Sequence, residues 1–246
     1  MIGIILAGGY AKRLLPLTID KPKSLLPAGG RPIIDYALDR IASSSSIRKV
    51  VVLTNSRFQP QFQSWAQGRQ RQDIEIWSDG SLTEEEKPGA VGALASMMSK
   101  IDDDFLVIAG DCIYPNGLEG LLGRFREKNA TVIGIYRSAE IDQVRRGSAV
   151  ELGSDNTIVD FVEKPEHPNI DLVGAAVYAF PRRTKDRLKE YFDLGLPRDE
   201  PGRFIEWLHK QETVYGYLLD GRVWDIGTIK SYENISDHLA SLGKHR

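Results

Sequence analysis

A mostly parallel, Rossmann-like α/β sheet with helices on both faces, extended by a smaller antiparallel or mixed portion, is the fold class that the sequence predicts. Three observations point to it. Short apolar runs rich in β-branched residues alternate with helix-period segments as far as residue 136. Those runs end in glycine or polar turn residues. Beyond residue 137 the strand-like runs instead follow one another closely. No Pro/Gly/Ser linker and no internal repeat divides the chain, so one domain over 1–246 is expected, with a first part over about 1–136, a second over about 137–230 and a closing helix over about 230–242.

In chain order, Ile2, Ile4, Ile5 and Leu6 form a buried-strand run bounded by Ala7, Gly8 and Gly9. Pro32 is placed to open a helix, in which Ile33, Ile34, Ala37, Leu38 and Ile41 recur at helical spacing until the Ser43–Ser46 run. Lys49–Asn55 is the next strand; Phe58, Phe62 and Trp65 give the following helix an aromatic core stripe, and 74–77 is a third strand. Ser78–Gly89 is a long polar loop, its Glu84–Glu86 run read as solvated surface. A helix over Ala93–Ile101 and a strand over Phe105–Ala109 follow, then a helix over Leu118–Lys128 and a strand over Ala130–Tyr136. Consecutive strands are expected at Ser148–Leu152, Thr157–Glu163 and Leu172–Phe180. Helices over Lys185–Phe192 and Phe204–Lys210, separated by Pro201-Gly202, lead to a strand at Val214–Leu219 and a last helix from Tyr232 to Leu242.

Composition removes several classes of function. A net charge of −2 lacks the basic excess of a nucleic-acid binder. A single cysteine, Cys112, excludes an internal disulfide framework and fits a reducing compartment. No run approaches the roughly 18 apolar residues of a membrane span, and no basic segment precedes the first strand, so a cytoplasmic location without membrane attachment is expected. Homo-oligomerisation stays open.

The chemistry concentrates where strands end. Gly8 and Gly9 carry no Cβ to hold a ligand off the backbone, so successive N–H groups can point at phosphate oxygens, although a Gly-Gly after a strand also serves as a plain turn. Arg13 supplies a planar fork and Lys23 a point charge on either side of that loop. Gly110-Asp111 closes the Phe105–Ala109 strand, where open α/β sheets bind ligands and where a hard oxygen donor suits Mg²⁺; by itself the dipeptide is more often ordinary turn chemistry. No motif places a histidine where it could activate Cys112, which reads as a small buried filler; His167, His209, His238 and His245 all lie outside the motifs.

The order of these residues resembles the sugar-phosphate nucleotidylyltransferases. That family's LAGG-x-G-T-R-L-x-P-L-T and P-K-x-L-L-P correspond to Leu6-Ala7-Gly8-Gly9 through Thr18 and to Pro22-Lys23 through Pro27, with Ala11 for the usual glycine and Lys12 for the usual threonine. Pro88–Leu94 is similar to G-T-A-G-A-L, Gly110-Asp111 to the metal-site G-D, Phe161–Pro165 to V-E-K-P, Leu172–Phe180 to N-A-G-I-Y-x-F, and Trp224–Thr228 to W-x-D-I-G-T. Gly174 stands at the usual asparagine and Ala176 at the usual glycine, and no base-reading glutamine can be placed between Ile76 and Gly89.

The resemblance implies a GT-A-like nucleotidyltransferase fold and transfer of a nucleotidyl group from a nucleoside triphosphate to a sugar-1-phosphate, dTTP or UTP with glucose-1-phosphate being favoured. It implies nucleotide contacts at Leu6, Ala7, Gly8, Gly9, Lys12, Arg13, Gly92 and Asp111, with Arg13, Lys23 and Asp111 catalytic. Sugar-phosphate contacts are implied at Gly147, Glu163, Lys164 and Gly174, and Mg²⁺ ligands at Asp111 and Asp225. A cytidylyltransferase acting on phosphocholine or another phosphomonoester is the second reading; a non-catalytic nucleotide sensor is the third.

Overall fold

The computed structural model describes residues 1–69, 73–115 and 117–243, with side chains through 239; His245 lies outside them. The strands are β1 (Ile2–Leu6), β2 (Pro27–Ala28), β3 (Arg31–Pro32), β4 (Lys49–Thr54), β5 (Ile74–Ser78), β6 (Phe105–Ala109), β7 (Cys112–Ile113), β8 (Thr131–Arg137), β9 (Ser148–Leu152), β10 (Ile158–Glu163), β11 (Leu172–Phe180), β12 (Val214–Leu218) and β13 (Trp224–Asp225). The helices are α1 (Ile34–Ala42), α2 (Gln59–Gln67), α3 (Ala90–Met97), α4 (Glu119–Lys128), α5 (Ile141–Arg146), α6 (Thr184–Asp193), α7 (Pro201–Leu208) and α8 (Ile229–Gly243).

β5, β4, β1 and β6 are parallel neighbours, so their carboxyl ends open on one edge. β11 joins antiparallel to β6 and continues the sheet into β8, β9 and β10, with β12 parallel to β8. The second part therefore extends the same sheet as a mixed piece. Apolar side chains pack on both faces: Ile5, Val50, Val52 and Phe62 belong to one core, while Ile4, Val51, Phe105 and Phe204 belong to the other. A third cluster, including Leu14, Leu26, Ile113, Ile226 and Ile235, lies under the glycine loop and ties α8 to it. Among the described residues no helix is long and apolar enough to cross a membrane.

Four local expectations change. Pro32 does not open a helix: Gly29 and Gly30, both at positive φ, make the two-residue turn of the β2–β3 hairpin, in which Pro27 pairs with Pro32, and α1 starts only at Ile34. Pro201 does not separate two helices but opens α7, its missing N–H falling where a helix needs none. The helix expected from Ala93 already begins at Ala90, because the Arg198 and Asp199 carbonyls accept from the Val91 and Ala90 N–H groups. The last helix begins at Ile229 instead of Tyr232. The six-residue α5 and the two-residue ladder of β7 with β13 carried no periodic pattern to predict them.

Candidate active site

Parallel pairing of β1 with β6 sets Leu6 beside Ala109 and brings the Gly8-Gly9 loop and Gly110-Asp111 to one end of the sheet. The approach is close. A Cβ on Gly110 would lie 2.8 Å from Ile5 Cγ2 and 3.0 Å from Leu6 O, so the site requires glycine there. A cavity of about 250 Å³ opens at this end, and Leu6, Gly8, Gly9 and Asp111 are in its wall. Ala7 stands behind the loop, its N–H donating to Leu53 O and its carbonyl accepting from Thr54 Oγ1.

Cys112 pairs with Asp225 across the β7–β13 ladder, and this carries the Asp225 carboxylate to Asp111. Ligand atoms of Asp111, Cys112 and Asp225 all lie within 4.8 Å of one another. The two carboxylates fit a hard divalent cation such as Mg²⁺; the sulfur is a poor donor to it and serves as packing. The Cys112 Sγ–H faces Asp111 Oδ1 at 3.7 Å and Asp225 Oδ1 at 3.9 Å, and burial, then these carboxylates, push the thiol well above its ordinary range. Cys112 is buried, as expected of a small core filler.

Asp225 is exposed at the β7–β13 ladder, yet loss of hydration, then the Asp111 charge, raises its carboxyl pKa; Lys23 and Arg13 pull the other way. Lys23 is largely buried. It forms an ion pair with Asp111 and donates to Ile226 O at 2.8 Å. Burial disfavours its charge, but Asp111 and Asp225 outweigh that and raise its pKa, so the ammonium persists at neutral pH. Arg13 is exposed beside Gly227, with no ion pair among the described residues. Lys12 is held at 2.7 Å by Glu84 and at 3.6 Å by Glu85, which raise its pKa, so part of the acidic run is a latch to the glycine loop and not only solvated surface.

Gly92 lies inside α3, where a Cβ would meet Pro88 and Arg198 at 3.1 Å and beyond; the α3 residues in the cavity wall are Ala90 and Ala93, preceded by Gly89. In the second part, β9–β10 pairing sets Ser148 opposite Glu163, the Lys164 N–H donates to Gly147 O at 2.7 Å, and the Gly174 N–H donates to Ser148 Oγ at 3.0 Å. Gly147, Glu163, Lys164 and Gly174 are thus one cluster. A Cβ at Gly174 would fall 2.6 Å from Ser148 Oγ, so the serine hydroxyl occupies the space that an asparagine would need. Lys164 pairs with Glu200, and the Glu163 carboxyl packs on Gly202 at the start of α7. Burial, then Glu200, push Glu163 up to about 7. Asp79, Lys87 and Asp199 also line the cavity and carried no motif, and Tyr178 lines it from within the Leu172–Phe180 match; in the sequence Asp79 was only part of the Ser78–Gly89 polar loop.

A Rossmann-like sheet with a phosphate-suited glycine loop and paired carboxylates at its carboxyl edge is the architecture of a nucleotidyl-transferring protein. The Nucleotidyl transferase family matches residues 2–241, and the chain belongs to it. It is 27% identical over 239 residues to the bifunctional protein GlmU of Methanocaldococcus jannaschii, covering 94% of this chain and 54% of that protein. It is 30% identical over 236 residues to a mannose-1-phosphate guanylyltransferase of Mycobacterium tuberculosis, covering 93% of this chain and 62% of that one. The chain thus spans between about half and two thirds of these relatives. A structure titled UDP-glucose pyrophosphorylase complexed with UDP-glucose superposes with a TM-score of 0.81 at 19% identity, covering 100% of this chain and 99% of that one, and shares the fold.

Proposed function

We propose that the chain transfers a nucleotidyl group from a nucleoside triphosphate to a sugar-1-phosphate. The observation that carries this reading is the convergence of Asp111, Asp225 and Lys23 at the mouth of the glycine loop. A phosphate oxygen of the sugar-1-phosphate attacks the α-phosphorus, the bond to the bridging oxygen of the β-phosphate breaks in line, and pyrophosphate leaves with that electron pair. The nucleophile is already an anion near neutral pH, so no general base is required, in keeping with a cleft lined by no histidine among the described residues.

Gly8 and Gly9 amides with Arg13 grip the triphosphate, and the Lys23 N–H not engaged by Asp111 or Ile226 faces the transferring phosphate. Lys164 exchanges Glu200 for the acceptor phosphate, and Glu163 accepts from sugar hydroxyls. Asp111 and Asp225 would hold Mg²⁺, which when bound neutralises charge between phosphates. The resemblance favours dTTP or UTP with glucose-1-phosphate, while the M. tuberculosis relative is named for guanylyl transfer to mannose-1-phosphate. Pyrophosphate release from the common triphosphates against glucose-1-phosphate, mannose-1-phosphate, N-acetylglucosamine-1-phosphate and phosphocholine tests the reading. Mg²⁺-dependent release with a sugar phosphate is expected; release with no pair, or with phosphocholine only, overturns it.

A further inference from the structure

We infer that Asp79 makes the nucleotide pocket selective for guanine, an assignment that rests on the nucleotidyl-transfer reading for its place in the reaction. The cavity wall is mostly apolar, with four charged residues, Asp79, Lys87, Asp111 and Asp199. Three of these are engaged: Asp111 with Lys23, and Lys87 with Asp199 at 3.7 Å. Asp79 has no ion-pair partner among the described residues. A partly buried carboxylate in the wall of a mostly apolar cavity has acceptor capacity that a ligand's donors can meet.

The group is also held in position. The Asp79 N–H donates to Thr54 O at 2.9 Å, and Asp79 Oδ1 accepts from both the N–H and the hydroxyl of Ser81 at 2.8 Å. Ser81 is itself buried, and its carbonyl accepts from the Ser56 N–H at 2.8 Å. Oδ1 therefore closes the turn. Oδ2 is directed at the glycine loop, 3.6 Å from where a Cβ on Gly8 would stand, and makes no hydrogen bond to a described residue.

An ionised carboxylate only accepts hydrogen bonds. Guanine presents two adjacent donors, N1–H and the 2-amino group, to such an acceptor. Uracil and thymine present one donor flanked by two carbonyls, and adenine and cytosine one amino group beside a ring-nitrogen acceptor. Uracil, thymine and adenine place a lone pair beside their single donor, which is selection by repulsion as well as by attraction, and cytosine offers one amino group only. Guanine alone offers two adjacent donors to the lone pairs of the free Oδ2.

Two measurements test this: equilibrium binding of GTP, ITP, XTP, ATP, UTP, dTTP and CTP by calorimetry, and kcat/KM for the same set with the best sugar phosphate. GTP is expected to exceed the pyrimidines and ATP by about 30-fold or more in both, and ITP, lacking the 2-amino group, to fall about tenfold. In Asp79→Asn the side-chain oxygen still accepts from Ser81 while the amide now donates toward the base. GTP should weaken by about 30-fold and XTP, with a carbonyl at C2, should gain. Equal loss for every triphosphate would mean that Asp79 holds the ribose, and an unchanged ranking would mean that it only closes the turn; either overturns the assignment. Selective GTP binding without any transfer would sustain it and overturn the transfer reading instead, while transfer with another base preferred would do the reverse.

Discussion

Cys112 and Asp225 are backbone partners in a ladder two residues long, and that pairing places the Asp225 carboxylate against Asp111. The ladder is short, but Ile113 and Ile226 beside it are buried in the same small core as Leu14 and Ile235, so the crossing is fixed by packing as well as by hydrogen bonds.

If the two carboxylates share one divalent ion, each is needed. Asp111→Asn and Asp225→Asn should each cost about 3 to 4 kcal/mol in the transition state, two to three orders of magnitude in rate. Turnover measured alongside Mn²⁺ binding checks this. A variant with full Mn²⁺ affinity and full turnover would remove that residue from the metal site.

Lys23 sits in a tight place between Asp111 and the Ile226 carbonyl. Lys23→Ala and Lys23→Arg should both lower kcat by roughly 100-fold, the arginine because a planar fork cannot reproduce a point charge directed at three acceptors. Retained kcat in Lys23→Arg would show that only net charge matters there.

Glu163 is expected to make stability pH-dependent. Its pKa is about 7 in the fold against an ordinary 4.5, so between those values the folded protein binds more protons than the unfolded chain. The stabilisation is fully present below about 4.5 and is lost as pH rises through 7, a change on the order of 3 kcal/mol. Glu163→Gln should flatten the slope. Urea unfolding of both proteins between pH 5 and pH 8 measures it, and equal slopes would refute the assignment.

Gly89 touches the strap between α6 and α7. A Cβ there would lie 2.3 Å from the Arg198 carbonyl oxygen, which is backbone and cannot swing aside, and the residue is at φ +77. Gly89→Ala should cost on the order of 3 kcal/mol in urea unfolding and widen the pocket mouth, raising KM for the triphosphate. Unchanged stability would mean that the strap is free to retreat.

Much of this was legible in the chain because it is written in short range. The Ile2–Leu6 and Phe105–Ala109 runs, the glycines after the first and the Gly-Asp after the second are local patterns with local causes, and they lie where they were expected. The β2–β3 hairpin was missed because Pro32 reads equally well as a helix opener, and only the left-handed Gly29 and Gly30 decide between the two. For Lys12 the sequence named no partner; only the loop that folds back brings Glu84 to it.

By itself, then, the sequence determined the sheet-forming runs, the phosphate-suited turn and the identities of the charged residues, because backbone propensity and hydrophobic period act over a few neighbouring positions. Only the tertiary structure decided which charges meet: that Asp225 reaches Asp111, that Lys23 lies between Asp111 and the Ile226 carbonyl, that Gly89 rather than Gly92 lines the cavity, and that Asp79 stands in its wall with no ion-pair partner among the described residues. The pairings made by Asp225 and Ile226 depend on strand register and chain crossing over a hundred positions or more. A two-residue ladder has no periodicity from which a sequence could announce it.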